Sequence, residues 1–341
     1  MRRNTSIRPE LSAMRRSHLR NVIAAMVIAL TMLAAVPASA SQQTTSATNA
    51  LTWLRANALQ CDGSITGLST IGGTADGVFA IVAGGQDAHT WGTSCAKTPV
   101  SYLKSHAADA GLGAGSLGKI AIAAKISSEN PRNFGGINLI DAIKNQQAAP
   151  GRYGIFLFDQ SFAMLALAST GETVPDAATA DLLSLQNADG GWSFTGVPDQ
   201  ASDTNSTAIA LQALFSVKAR GSALSGAIDL SAKRSVAFFH KEQNLDGGFG
   251  FQKAWGTDST STANSVQSLM TIGEDPKGPL WQTVIGSNSP MTTLLSLQRA
   301  SGAFAYQAGG DNDAPSTSQS IPGILEKSFL CLTGLATCPS V

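Results

Sequence analysis

The chain holds 341 residues, 43% of them hydrophobic and only 13% charged, with 23 basic side chains against 23 acidic ones. That is enough apolar material to bury a sizeable core, and the even balance excludes the basic surface that nucleic acid requires.

The first forty residues read as an export signal and are set apart from the fold. Arg2, Arg3, Arg8, Arg15, Arg16 and Arg20 form a basic head, Val22–Val36 an apolar run, and Ala38-Ser39-Ala40 a small-residue cleavage site. The run falls short of the roughly 20 residues of a membrane span. Met14–Arg20 is similar to a twin-arginine signal, with His18 where an aromatic residue is usual, so that route and ordinary secretion both stay open. Removing the segment leaves 17 basic and 22 acidic side chains. The remainder, 41–341, is read as one secreted domain and as a monomer, with no membrane span after cleavage.

Helical apolar periodicity then recurs along the chain. The first four segments are Ala50–Gln60, Ala75–Ala83, Pro99–Asp109 and Ser116–Ile126. Next come Asn138–Gln147, Asp159–Thr170, Asp176–Gln186, Asp203–Ala219, Leu230–Gln243, Asp258–Ile272, Pro290–Gln298 and Ser316–Phe329. From Asn138 onward the segments alternate in character. One of each pair ends near a Gln, and the other is apolar nearly all round, as a buried helix must be.

Gln147, Gln186, Gln243 and Gln298 each have Gly at +4 (Gly151, Gly190, Gly247, Gly302) and an aromatic at +6 (Tyr153, Trp192, Phe249, Phe304). Spacing of this kind marks a helix-pair repeat. The Gly lets the chain take the left-handed turn that ends an outer helix. The Gln side chain can bond free backbone groups at a neighbouring helix end. Twelve helices in six pairs would close a ring, so the expected fold is all-α, an α/α toroid of six inner and six outer helices.

Cys61, Cys95, Cys331 and Cys338 make an even set in a chain bound for an oxidising compartment. Of the three connectivities, Cys61–Cys95 with Cys331–Cys338 is favoured, because each bond closes a loop at one end of the chain. The spacings are not those of a zinc knuckle, and no cofactor or metal is expected.

LQNADGGW (Leu185–Trp192) and EQNLDGGF (Glu242–Phe249), with the weaker LQRASGAF and QQAAPGRY, resemble the Gln…Trp repeat of the terpenoid cyclase and protein prenyltransferase superfamily. The resemblance covers about Asn138–Phe329 and implies the toroid. It says little about function, because that scaffold also serves cobalamin carriers and thioester domains. Squalene-hopene-type cyclases protonate an alkene with the middle Asp of Asp-x-Asp-Asp-Thr-Ala. The matching stretches here are Asp203-Thr204-Asn205-Ser206-Thr207-Ala208 and Asp258-Ser259-Thr260-Ser261-Thr262-Ala263, so Asn205 stands at the proton donor's place. The zinc site of prenyltransferases and the Cys-Gly-Glu-Gln thioester are not recognisable. Cobalamin carriers cover their ligand with a smaller second domain, and no such lid is expected after the last helix.

Asp159, Asp203 and Asp258 each open an inner helix, where a carboxylate caps free N–H groups. In a toroid these ends also ring one mouth of the central space. Asp159, Asp203, Asn205, Ser206, Trp255, Asp258, Ser261 and Tyr306 are therefore the candidate ligand-binding residues, and no catalytic residue is assigned. Trp192, Trp255 and Tyr306 either pack under loops or line that mouth. Asp199–Asp203 and Gly309–Asp313 are oxygen-rich loops without a full calcium ligand pattern, and His89, His106 and His240 read as surface or packing residues.

Two functional classes remain. One is a secreted, non-catalytic toroid that binds a small apolar or cobalamin-like ligand or an extracellular partner. The other is an enzyme, either a divergent isoprenoid cyclase or a polysaccharide-active barrel using Asp203 and Asp258 as acid and base.

Overall fold

The computed structural model describes residues 38–92, 94–109, 111–283 and 288–339. The basic head and apolar run of the export signal lie outside the described residues. The chain divides into residues up to Gln42 and a compact unit, Gln43–Val341, to which the architecture below belongs.

The helices are α1 (Ala38–Asn57), α2 (Thr70–Ala83), α3 (Pro99–His106), α4 (Ala114–Ile126), α5 (Leu139–Lys144), α6 (Leu157–Ser169) and α7 (Asp176–Ser184). They continue as α8 (Thr204–Ala219), α9 (Ser225–Glu242), α10 (Ser259–Ile272), α11 (Pro290–Ser296), α12 (Ala314–Ile324) and α13 (Phe329–Leu332). α2 packs on α4, α4 on α6, α6 on α8, α8 on α10, α10 on α12, and α12 returns to α2. These six form a closed inner ring, and the odd-numbered helices α1 to α11 surround it. The fold is the expected α/α toroid.

The inner helices are small-residue helices, and close approach is the reason. A Cβ placed on Gly118 of α4 would lie 2.5 Å from the Phe162 carbonyl oxygen of α6, well inside contact distance. Gly118→Ala is expected to destabilise by about 1–3 kcal/mol through overpacking. Chemical denaturation checks it, and a change below about 0.5 kcal/mol would show that the two helices can part without cost.

The Gln repeat is a fastening. Gln186 Nε2 donates to the Gly190 carbonyl (2.8 Å) and reaches across to Ser231 O (3.0 Å) on α9. Gln243 does the same with Gly247 O and Trp281 O. Gln298 binds Gly302 O and Ser46 O, both at 2.8 Å, so the last repeat is tied to α1 and the ring closes. Gln43 on α1 adds a 2.7 Å bond to Ile324 O.

Gln147 departs from this pattern. It is exposed and lies in a short strand, Gln147–Ala148, paired with Arg152–Tyr153. Gln160 of α6 takes over its role, accepting from Tyr153 N (2.6 Å) and donating to Ala178 O (3.0 Å) on α7.

Several element boundaries differ from the sequence reading. α1 begins far before Ala50, within a Ser/Thr/Gln run outside the expected segment that supplies the ring-closing bonds of Gln43 and Ser46. The segment Ser316–Phe329 is broken after Ile324, where Glu326 takes a positive φ of 54° and the chain turns into α13. α5, α7 and α11 stop two or three residues before their Gln, and after α7 and α11 that Gln side chain bonds across the joint.

Cys61–Cys95 and Cys331–Cys338 are both bonded, with Cα separations of 5.5 and 4.8 Å. They suit an oxidising, extracellular setting. No helix among the described residues is long and apolar enough to cross a membrane.

Candidate functional site

Each inner helix starts at a cap, and the residue six or seven positions after that cap points to the axis. From Ser69, Gly113, Phe156, Asp203, Asp258 and Asp313 this count reaches Asp76, Lys119, Phe162, Ile209, Asn264 and Gln319. All six line one central cavity of about 80 Å3. Because all six are counted from the helix starts and meet at one level, the inner helices run parallel.

The wall of this cavity is divided. On one side Lys119 Nζ lies 2.6 Å from Asp76 Oδ1 and 5.3 Å from the centre of the Phe162 ring, while Gln319 Nε2 donates to Asp76 Oδ2 at 3.3 Å. Nearer the helix starts, Asn264 Nδ2 donates to Asn205 Oδ1 at 3.3 Å. A column of rings meets this side at Phe162. Phe156 and Phe194 are 41% and 45% exposed at the rim with centroids 5.2 Å apart, and Phe158 stands 5.8 Å from Phe194. Phe162, Phe329 and Phe79 continue it inward at 6.2, 5.7 and 5.0 Å.

Phe329, on α13, closes the floor. Its N–H donates to Gln212 Oε1 at 2.9 Å, and the Cys331–Cys338 bond ties the helix down behind it. The cavity is therefore open toward the helix starts and shut at the far end. Two buried polar atoms in its wall, Gln267 Oε1 and Ser318 Oγ, have no hydrogen-bond partner. Leaving such groups unpaired costs about 1–3 kcal/mol each.

Of the sequence candidates, only Asn205 lines this cavity. Asp159 accepts from Gly115 N (3.1 Å), Ile155 N and Phe156 N, bracing the starts of α4 and α6. Asp203 is buried and caps α8 through Ser206 N at 2.7 Å. Asp258 caps α10, accepting from Ser261 N (2.6 Å) and Ser261 Oγ (2.8 Å). Ser206 and Ser261 are buried beside these caps.

Thr207 and Thr262 complete the arrangement. Each hydroxyl accepts the N–H of the repeat aromatic, Trp192 or Phe249, at 3.0 Å and donates to the carbonyl of the capping Asp. The Asp and Thr of Asp203–Ala208 and Asp258–Ala263 thus act as scaffold, and Asn205, facing the cavity, carries an amide.

Burial pushes the Asp203 carboxyl up to about 6, against the lowering effect of the Ser206 amide. Burial also raises Asp258, and Tyr306 is raised by burial and by its nearness to Asp258. Trp192 is fully buried, whereas Trp255 is 62% exposed and Tyr306 46% exposed; neither of the last two lines the central cavity. The histidines pack as read: His240 stacks on Trp281 and His106 on Tyr102, each at 4.1 Å, and His89 bonds Ser127 O. No group of three or more metal-ligating side chains occurs among the described residues.

No family model matches the chain, and no curated protein matches it. Among solved structures it is similar to the unsaturated glucuronyl hydrolase from Bacillus sp. GL1, responsible for the degradation of glycosaminoglycan. The TM-score is 0.56 at 13% identity, over 83% of this chain and 96% of that one. The ent-copalyl diphosphate synthase from Streptomyces platensis aligns at 16% identity with a TM-score of 0.48, over 78% of this chain. The chain spans about half the length of that synthase, 50% of it being covered. At these identities the likeness to the hydrolase shows the toroid fold and nothing of its chemistry.

Proposed function

We propose that this is a secreted toroid that binds, without converting, an amphipathic small molecule at the open end of its inner ring. The observation that carries this reading is the pair of unpartnered buried atoms, Gln267 Oε1 and Ser318 Oγ, in the wall of a cavity that aromatic rings also line. A hydroxyl or amino end group would enter and donate to them. The ligand's apolar body would lie along Phe158, Phe194 and Phe156.

A volume of about 80 Å3 admits only such an end group, and neither an isoprenoid chain nor a corrin fits inside. Any such body would rest across the mouth. The polar arc of Asn205, Asn264 and Gln319 would orient it. The Gln…Trp repeats support kinship with terpenoid-cyclase toroids, with residues 1–40 removed on export.

The enzyme alternative needs groups that face the ligand. Asp203 and Asp258 cap their helices and do not line the cavity, and among the described residues Asp76 is the one carboxylate in the cavity wall, held by Lys119. Two carboxylates roughly 5–9.5 Å apart across a substrate are what glycoside hydrolysis requires, and Asn205 has no acidic proton for a cyclase.

Native mass spectrometry of protein collected from its own secretion fluid is expected to find a co-purifying small molecule. Phe158→Ala and Gln267→Leu should each lower its occupancy at least about tenfold. Turnover of geranylgeranyl diphosphate or of an unsaturated glucuronyl disaccharide would overturn the non-catalytic reading.

A further inference from the structure

A second cavity lies on the rim beside α11, shares no lining residue with the central one, and measures about 510 Å3. That falls in the range of roughly 300–1,000 Å3 typical of small-molecule sites. Its wall carries Trp255, Asp246, Thr257, Asn288, Thr292 and Gln307, and no lysine or arginine. It runs into a further hollow of about 340 Å3 through Ser296, Leu297 and Ala308.

Trp255 is the unusual element. It is 62% exposed, yet its backbone is held from several sides. Its N–H donates to Gln252 O (2.9 Å), and its carbonyl accepts from Gln307 Nε2 (2.9 Å) in the next repeat's loop. The indole leans on Phe251, centroids 5.2 Å apart, which supports one side and leaves the rest to solvent. Asp246 is likewise fixed: its Oδ1 accepts from Gly248 N (3.0 Å) and Thr257 Oγ1 (2.8 Å).

A flat, rigid, solvent-facing indole beside a positioned carboxylate, amides and hydroxyls matches one ligand chemistry. A pyranose ring with equatorial substituents offers a flat C–H face to the indole and hydroxyls at its edge to the polar groups. The elongated double hollow suits a chain of such rings; the wall around Trp255 holds Asp246 and no cationic side chain, the further hollow adds Arg299, and one charge of each sign favours a neutral glycan. We propose that this rim groove binds a neutral, β-1,4-linked pyranose oligosaccharide, with Trp255 as the stacking platform and Asp246 and Gln307 as its hydrogen-bonding flank.

The test is titration with cellohexaose and with chitohexaose, followed by intrinsic fluorescence and calorimetry. Trp91, Trp192 and Trp281 are fully buried and the half-buried Trp53 of α1 lines neither hollow, so the exposed Trp255 should dominate the fluorescence change. At least one hexasaccharide is expected to bind and to change the emission, and which one does distinguishes a glucan from an N-acetylglucosamine polymer. Trp255→Ala should weaken that binding at least about tenfold while melting with the parent, because the side chain is mostly in water. Failure of both sugars to bind, equal binding of a hyaluronan hexasaccharide, or undiminished affinity in Trp255→Ala would each overturn the assignment.

Discussion

Replacing Trp192 with alanine is expected to cost about 3–5 kcal/mol and to lower Tm by roughly 5–15 °C. The side chain is fully buried at the joint between α7 and α8, and its Nε1 donates to Leu182 O at 2.8 Å. Its backbone is gripped as well, because Trp192 N donates to Thr207 Oγ1 and Trp192 O accepts from Asp203 N. Truncation therefore opens a cavity and leaves the Leu182 carbonyl with only the longer 3.4 Å bond from Leu185 N. Denaturant melts decide it. A loss under about 1 kcal/mol would mean that the repeat aromatic is not what seals one helix pair to the next.

Asp203→Asn is expected to change how stability depends on pH, with the cap kept. Asn caps a helix about as well as Asp, so the Ser206 N–H keeps its acceptor. The folded chain holds the Asp203 proton up to about 6, against an ordinary value of 3.8. Stability from this group is fully present below 3.8 and is lost as the pH rises through 6, because the folded state then gives up a proton it bound more tightly than the unfolded chain did. The shift corresponds to about 3 kcal/mol. Relative to the parent, Asp203→Asn should gain that amount between pH 4 and pH 8. Burial raises Asp258 in both proteins, so its contribution cancels in the comparison. A stability difference that stays constant from pH 4 to pH 8 would show that Asp203 is ionised throughout.

The toroid was legible because its determinants are local. Apolar periodicity, the Gln and Gly spacing and the Asp caps each act within a few residues, and four of them recur clearly enough to count. The same locality explains the Gln147 error. Its spacing matches the repeat, but the bonds that define the joint had moved to Gln160, a substitution visible only once α6 and α7 lie side by side.

The candidate site was read less well, for a physical reason. Asp159, Asp203 and Asp258 stand out in sequence because helix starts are marked, yet marked positions are the ones already spent on capping. Of eight named residues only Asn205 reaches the central cavity. Asp76, Lys119, Asn264, Gln267 and Gln319 carry no motif of their own. Counting six or seven residues on from each cap would have found all but Gln267, had the six inner helices been known to be parallel and in register.

Sequence alone thus determined the scaffold: a ring of helix pairs, most of their joints and the paired cysteines. Tertiary structure decided which side chains meet on the axis, that Phe329 closes one end, and that Trp255 stands out over a separate groove. Helix formation and capping are short-range, whereas the rotation of each inner helix about its axis is set by packing against two neighbours far away in the chain.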